Sequence, residues 1–225
     1  MEKKAYRLTG FLYLLVIVLA GFGQGYIRGT LIVSNDAAAT ASNIVEQMKL
    51  FRWGLTLDLI AFVLDAIISV LLYQLLKPFG KTLAMVSSAL RLIAHPAIGS
   101  LNLLNHFLAY HVLSGVDFLA VFDEAQLQSL SMIFIQAHQY GYLIAGGFFG
   151  IHCLLLGVLI YKSNTIPKLF GGLLMGAGVG YLVETFGNFN MPGYETYTAL
   201  IVGITAVIGE VSFTLYLLIK GKKVD

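Results

Sequence analysis

Charge is scarce in this sequence. Asp, Glu, Lys and Arg make up 12% of its 225 residues, against about 25% in a soluble domain. Hydrophobic residues make up 58%, and the mean hydropathy is +0.82. A soluble globular chain is excluded, and a polytopic membrane protein is implied. The net charge of +2, with no basic run interleaved with aromatics, excludes nucleic acid as a partner. A lone cysteine, Cys153, excludes disulfides and multi-cysteine metal sites. Phosphate loops, serine elbows and dinucleotide fingerprints are all missing.

Long apolar runs are present instead. Six segments meet the requirement of about 20 apolar residues for crossing a bilayer, near 7–27, 53–76, 82–112, 130–161, 168–188 and 197–219. The expected fold is all-α, a six-transmembrane-helix bundle forming a single integral membrane domain over 1–225. Met1-Glu2-Lys3-Lys4 before an apolar stretch imitates a signal peptide, but 8–27 is too long for one and reads as a retained span. Segments three and four are over-long and must tilt or run into the interface. Pro96 is expected to bend the third, because it removes a backbone donor and clashes with the preceding turn.

Basic residues set the orientation. Lys3, Lys4, Arg7, Lys77, Lys81, Lys162, Lys168, Lys220, Lys222 and Lys223 fall on one side, ten of the fourteen. Arg28, Lys49 and Arg52 fall on the other, whose loops also carry Asp36, Glu46, Asp117, Asp123, Glu124 and Glu195. Both termini are therefore expected to be cytoplasmic, in a bacterial cytoplasmic membrane. In the longest outer connection, Asn35 or Asp36 is a sound N-cap ahead of an alanine-rich stretch, which predicts a short helix on the outer surface. It reads as a connector before it reads as a lid. Leu76-Lys77-Pro78-Phe79 and Ile166-Pro167-Lys168-Leu169-Phe170 form a faint internal repeat, and aligning their prolines sets His95 against Glu184.

The scarce polar residues inside the spans carry the functional argument. Arg91 is followed by His95, Asn102 and His106 at offsets of four, eleven and fifteen, which return to within roughly 60° on an ideal helix. Each costs about 2.5 kcal/mol or more at the bilayer centre unless paired or hydrated. Asp58 and Asp65, seven apart, share a face of span two, and His138 and His152, fourteen apart, share a face of span four. Glu184 lies near the outer end of span five and Glu210 near the middle of span six. The structural reading of Arg91 is an ion pair with Asp65 or Glu210, both at similar depth. Each histidine taken singly reads as a neutral ring bonded to a carbonyl, tyrosine or asparagine. Taken together with the carboxylates they suggest a site, and ionisable groups inside a membrane are functional candidates by default. Arg91, His95, Asn102, His138, His152, Glu184, Glu210 and Asp65 are the candidate pocket residues. His106, His138 and Glu184, at comparable outer depth, are candidate ligands for zinc. A haem between His106 and His138 is disfavoured, because no second histidine pair matches in depth. Gly172, Gly176 and Gly180, four apart, predict close helix packing in span five. Tyr140 and Tyr142 flank Gly141 below His138 and read as belt or core before pocket lining.

Several stretches resemble the bacterial membrane family called domain of unknown function 4386. They are Asp36-Ala-Ala-Ala-Thr-Ala-Ser-Asn-Ile, Leu50-Phe-Arg-Trp-Gly, Leu72-Tyr-Gln-Leu-Leu-Lys-Pro, Arg91-Leu, His138-Gln-Tyr-Gly-Tyr and Phe148-Phe-Gly-Ile-His-Cys-Leu-Leu-Leu-Gly. Ile166-Pro-Lys-Leu-Phe-Gly, Gly178-Val-Gly-Tyr-Leu, Gly209-Glu210 and Leu218-Ile-Lys-Gly continue the likeness. This chain departs from the pattern at Val183-Glu184-Thr185, where an acidic-serine pair is frequent, and at Tyr216, where a Trp is usual. The resemblance implies six spans and supplies no reaction. Its motif positions with ionisable side chains inside spans are Arg91, His138, His152, Glu184 and Glu210.

Three functions compete. The first is an intramembrane pocket binding a small-molecule or lipid ligand, as transporter, sensor or accessory subunit. The second is an intramembrane metal-dependent hydrolase, with Glu210 or Asp58 as base; stoichiometric zinc lost in a His138→Ala variant would mark it. The third is a structural subunit locked by Arg91. The lipid bilayer is a partner in every case, and a homo-oligomer is compatible with this composition.

Overall fold

The computed structural model describes residues 2–220; the expected basic positions Lys222 and Lys223 lie outside the described residues. Six helices are long and apolar enough to cross a membrane: α1 (Lys3–Leu31), α3 (Met48–Phe79), α4 (Lys81–His111), α5 (Glu124–Lys162), α6 (Lys168–Asn190) and α7 (Glu195–Lys220). The short α2 (Ala37–Glu46) joins α1 to α3, and no strand occurs among the described residues. The spanning helices overrun the apolar windows read from sequence. In α5 the reason is a capping box: Asp123 accepts from the Gln126 N–H at 2.9 Å while the Gln126 side chain accepts from the Asp123 N–H at 3.0 Å, which starts the helix at Glu124. The N-cap expected before α2 is Asp36, which accepts from the Ala39 N–H at 2.9 Å.

The helices pack in a ring, α1 on α3, α3 on α4, α4 on α5, α5 on α6 and α6 on α7. The Ser212–Lys220 end of α7 closes the ring against α1; its Glu195–Ala206 half makes no comparable packing with α1. A Cβ at Gly10 would lie 2.8 Å from the Leu218 backbone nitrogen, so the two helices touch near their terminal ends. The seam between α1 and α7 is closed at the face bearing the termini and open toward the distal face.

Apolar packing follows this division. A core of Tyr6, Ile68, Leu72, Leu76, Leu156, Leu159, Phe213 and Leu217 fills the terminal half, and a smaller one of Ile27, Leu31, Ile44, Phe51 and Ile135 caps the distal end. Between them lie the buried polar residues. Glycines hold α5 and α6 together in a different register from the expected one. A Cβ at Gly157 would sit 2.5 Å from the Gly171 carbonyl oxygen, and a Cβ at Gly178 would sit 2.6 Å from that of Gly150. Gly172 and Gly176 face open space, and only Gly180 of the predicted trio packs, against Thr205 of α7. The contact face is set by spacing of seven, which follows the neighbouring helix, and not by the four-residue run.

Three helices contain π-helical turns: Gly21–Arg28 in α1, Ile93–Gly99 in α4 and Val207–Val211 in α7. Pro96 sits inside the second. A wider turn relieves the clash with the preceding carbonyl, so α4 absorbs its proline without a break. Each π-turn contains or adjoins a buried or half-buried polar residue: Arg28, His95 and Glu210.

Candidate functional site

Ser69 and Ser88 clasp α3 to α4, each hydroxyl donating to the other's carbonyl at 2.7 and 2.9 Å. One turn away, Arg91 of α4 meets Asp65 of α3. The guanidinium Nε donates to Asp65 Oδ1 at 2.9 Å, and Nη2 donates to the same oxygen. Arg91 is 1% exposed and Asp65 is fully buried. Nη1 donates to the Tyr13 hydroxyl at 3.1 Å and to His152 Nε2 at 3.2 Å. An arginine only donates, so His152 Nε2 must accept, and its Nδ1–H donates to the Ser87 carbonyl at 2.9 Å. The second Asp65 oxygen accepts from His95 Nδ1 at 3.3 Å. The Tyr13 hydroxyl donates in turn to Glu210 Oε2 at 2.8 Å, while Tyr181 donates to Glu210 Oε1 at 2.7 Å. All six spanning helices thus converge on one polar layer, with the Arg91 guanidinium carbon 4.4 Å from the Tyr13 ring centre and 5.0 Å from that of Phe149.

Of the two partners open to Arg91 on sequence grounds, Asp65 takes the direct contact, and Glu210 is reached through Tyr13. The polar stripe on α4 divides. Arg91 and His95 join this layer, whereas Asn102 and His106 join a second cluster toward the distal face. Asn102 lies eleven residues beyond Arg91, about 16 Å along the axis, so depth separates the two clusters, as it separates Asp65 from Asp58 on α3.

In the second cluster Arg28 and Asp58 form a buried ion pair, and Tyr142 donates to Asp58 Oδ2 at 3.0 Å. Asn102 Nδ2 donates to the His138 carbonyl at 2.7 Å, and His138 Nδ1 returns a bond to the Asn102 carbonyl at 3.0 Å. The Asn102 side chain fits only because residue 141 is glycine: a Cβ there would lie 2.2 Å from Asn102 Oδ1. His106 Nε2 donates to the Phe51 carbonyl at 2.8 Å and stacks on the Phe51 ring, with centres 4.0 Å apart. Unlike the first layer, this one leaves buried atoms without a hydrogen-bond partner among the described residues: Arg28 Nε and Nη1, Asp58 Oδ1 and His138 Nε2.

The candidate metal ligands His106, His138 and Glu184 do not converge. The two imidazole centres are 5.5 Å apart, but their bonded nitrogens are turned to carbonyls, and Glu184 lines the main cavity instead. Among the described residues no group of three His, Cys, Asp or Glu is placed to hold a metal ion.

That cavity, about 510 Å³, lies between α1, α3, α4, α5, α6 and α7. Asp65, Arg91, His95 and Glu210 form its polar floor; Tyr13, Tyr142, Phe149 and Tyr181 supply aromatic walls; Glu184, Asn188 and Glu195 lead toward the distal face. Gln24, Ala199 and Val207 line it while remaining exposed, so it opens along the seam between α1 and the distal half of α7.

Several of these residues escaped the sequence reading. Arg28 was assigned to a loop, yet it is only 8% exposed and pairs with Asp58. The signal was Asp58 itself, an intramembrane carboxylate needing a cation at its own depth. Tyr13 and Tyr181 were overlooked because tyrosines in membrane proteins default to interfacial belts.

No solved structure matches this chain. A protein of Archaeoglobus fulgidus, described only as an uncharacterized protein, is 32% identical over 163 residues, covering 72% of this chain and 80% of the relative. The match to the family described as Domain of unknown function (DUF4386) extends over residues 8–221, nearly the whole polar framework included, and the chain belongs to that family.

Proposed function

We propose that this protein is a multi-pass cytoplasmic-membrane protein that binds a small amphipathic ligand in its intramembrane cavity, as a carrier or sensor. Lys3, Lys4, Arg7, Lys77, Lys81, Lys162 and Lys168 gather at the face bearing the termini, which favours that face as cytoplasmic. The cavity then opens toward the outer leaflet.

The observation that carries the reading is a cavity of about 510 Å³ with a charged floor and a lateral opening. Its volume falls within the range of small-molecule sites, roughly 300–1,000 Å³, and its mixture of aromatic walls with a few convergent polar groups is typical of them. The Arg91 layer is the floor, every nitrogen of Arg91 donating to Asp65, Tyr13 or His152. Cavity filling tests the reading. Ala206 lines the cavity from α7 and is half-buried. Native mass spectrometry of the protein in a saccharide detergent should show stoichiometric amphiphile adducts that Ala206→Trp removes while the variant stays folded. Adducts that persist at parental occupancy in Ala206→Trp would overturn it.

A further inference from the structure

The cavity's charge balance points to the kind of ligand. Asp65, Glu184, Glu195 and Glu210 line it, against a single guanidinium. Arg91 is poorly placed to serve a ligand's anionic group: it is buried, and four of its five N–H groups already go to Asp65, Tyr13 and His152. Asp65 is matched in turn by Arg91 and His95. Glu210 receives only neutral tyrosine hydroxyls, from Tyr13 and Tyr181. The Glu184 carboxylate has neither an ion pair nor a hydrogen bond among the described residues; only its backbone carbonyl is used, by Asn188. Two acidic side chains in a partly desolvated space therefore have no direct ion pair among the described residues, and the lining carries more carboxylates than cations, an imbalance that a low dielectric makes costly.

The walls suit a cation as well. The site already holds one cation against ring faces, since Arg91 lies over Tyr13 and Phe149. Tyr181 and Glu184, three residues apart, lie on one side of α6 and both line the cavity, with Tyr142 opposite on α5. The opening between α1 and α7 extends from Glu195 at the distal end to Val207, about 18 Å along the helix. A polar head can occupy the cavity while an alkyl chain leaves through that seam into lipid.

Resting on the reading of the cavity as a ligand site, we infer that it takes a cationic amphiphile, an ammonium head on an alkyl chain, with Glu184 and Glu210 as counter-charges and Tyr142 and Tyr181 as the aromatic wall. The ammonium enters sideways from the distal half of the bundle and stops at the Arg91 floor. Anionic lipids and fatty acids are disfavoured by the same carboxylates.

The test compares heads on one tail. Protein in dodecyl maltoside is offered dodecyltrimethylammonium, dodecylphosphocholine or dodecyl sulfate, and adducts are counted by native mass spectrometry beside thermal unfolding. Dodecyltrimethylammonium should bind at least ten-fold more tightly than dodecyl sulfate and raise the unfolding temperature. Glu184→Gln, which breaks no bond of the parent, should fold normally and lose most of that preference, whereas Glu46→Gln, on the distant α2, should keep it. Equal binding of all heads overturns the cation assignment and leaves the amphiphile site standing. A preference unchanged in Glu184→Gln overturns the role of that carboxylate. Binding of none of the probes overturns both readings together.

Discussion

Two aspartates on α3, seven residues apart, each meet an arginine from another helix, and their surroundings differ. Around Asp65, each nitrogen of Arg91 has an acceptor, and the neighbouring hydroxyl and imidazoles are engaged. Around Asp58, one carboxylate oxygen and two guanidinium nitrogens have no partner among the described residues. A buried ion pair repays its desolvation only when its remaining hydrogen-bonding groups are satisfied. The first pair is a closed strut. The second is satisfied only if something else enters, and water is the simplest occupant. A Cβ at Gly23 would lie 3.0 Å from Asp58 Oδ1 and 3.7 Å from both Arg28 Nη1 and the Gly54 carbonyl oxygen, so the missing side chain leaves a polar niche beside the unmatched atoms.

The comparison breaks most visibly at Arg91. Arg91→Leu strands the Asp65 charge and should cost about 3–5 kcal/mol in denaturant unfolding; the double variant Arg91→Leu/Asp65→Leu should recover more than half of it, because neither charge remains. If the double variant were as unstable as the single one, the ion pair would not be the source of the loss. Asp58→Asn should cost less, about 2 kcal/mol, since Arg28 already has donors without protein partners that hydration can serve. A loss matching that of Arg91→Leu would erase the distinction between the two pairs. Gly23→Ala sharpens it further. The methyl group would occupy the niche and expel water, costing about 1 kcal/mol in the parent and close to nothing in Asp58→Asn. Equal costs in both backgrounds would mean that the niche is dry.

How much of this was legible in sequence depends on what kind of information each feature needs. Apolar length alone locates the six spans, because the bilayer sets their minimum size. Helical projection finds the shared face of Asp58 and Asp65, and similar depth narrows the partners of Arg91 to two. Neither selects between them, since direction and depth do not say which helix stands opposite. The same limit explains α6, where four-residue spacing marked Gly172 and Gly176 although the neighbouring helices meet Gly171, Gly178 and Gly180. The π-turns defeat projection for another reason. They insert extra residues per turn, so offsets counted across 93–99 no longer translate into angle; the split of the α4 stripe between two clusters follows from depth, which an angular projection does not carry. Arg28 was lost because a cation near the end of an apolar window looks like a loop residue until its carboxylate partner is considered.

The hydrogen bond from Tyr13 to Glu210 joins residues 197 positions apart, and α1 meets α7 again where Gly10 lies against Leu218. A growing chain thus carries Tyr13 and Arg91 in the membrane long before their last neighbour is synthesised. Until α7 inserts, the polar layer has an unfinished side facing lipid, and a product shortened before Glu195 would keep that wound permanently. Quality control that senses uncovered charge within the bilayer would therefore act on this protein at its final helix.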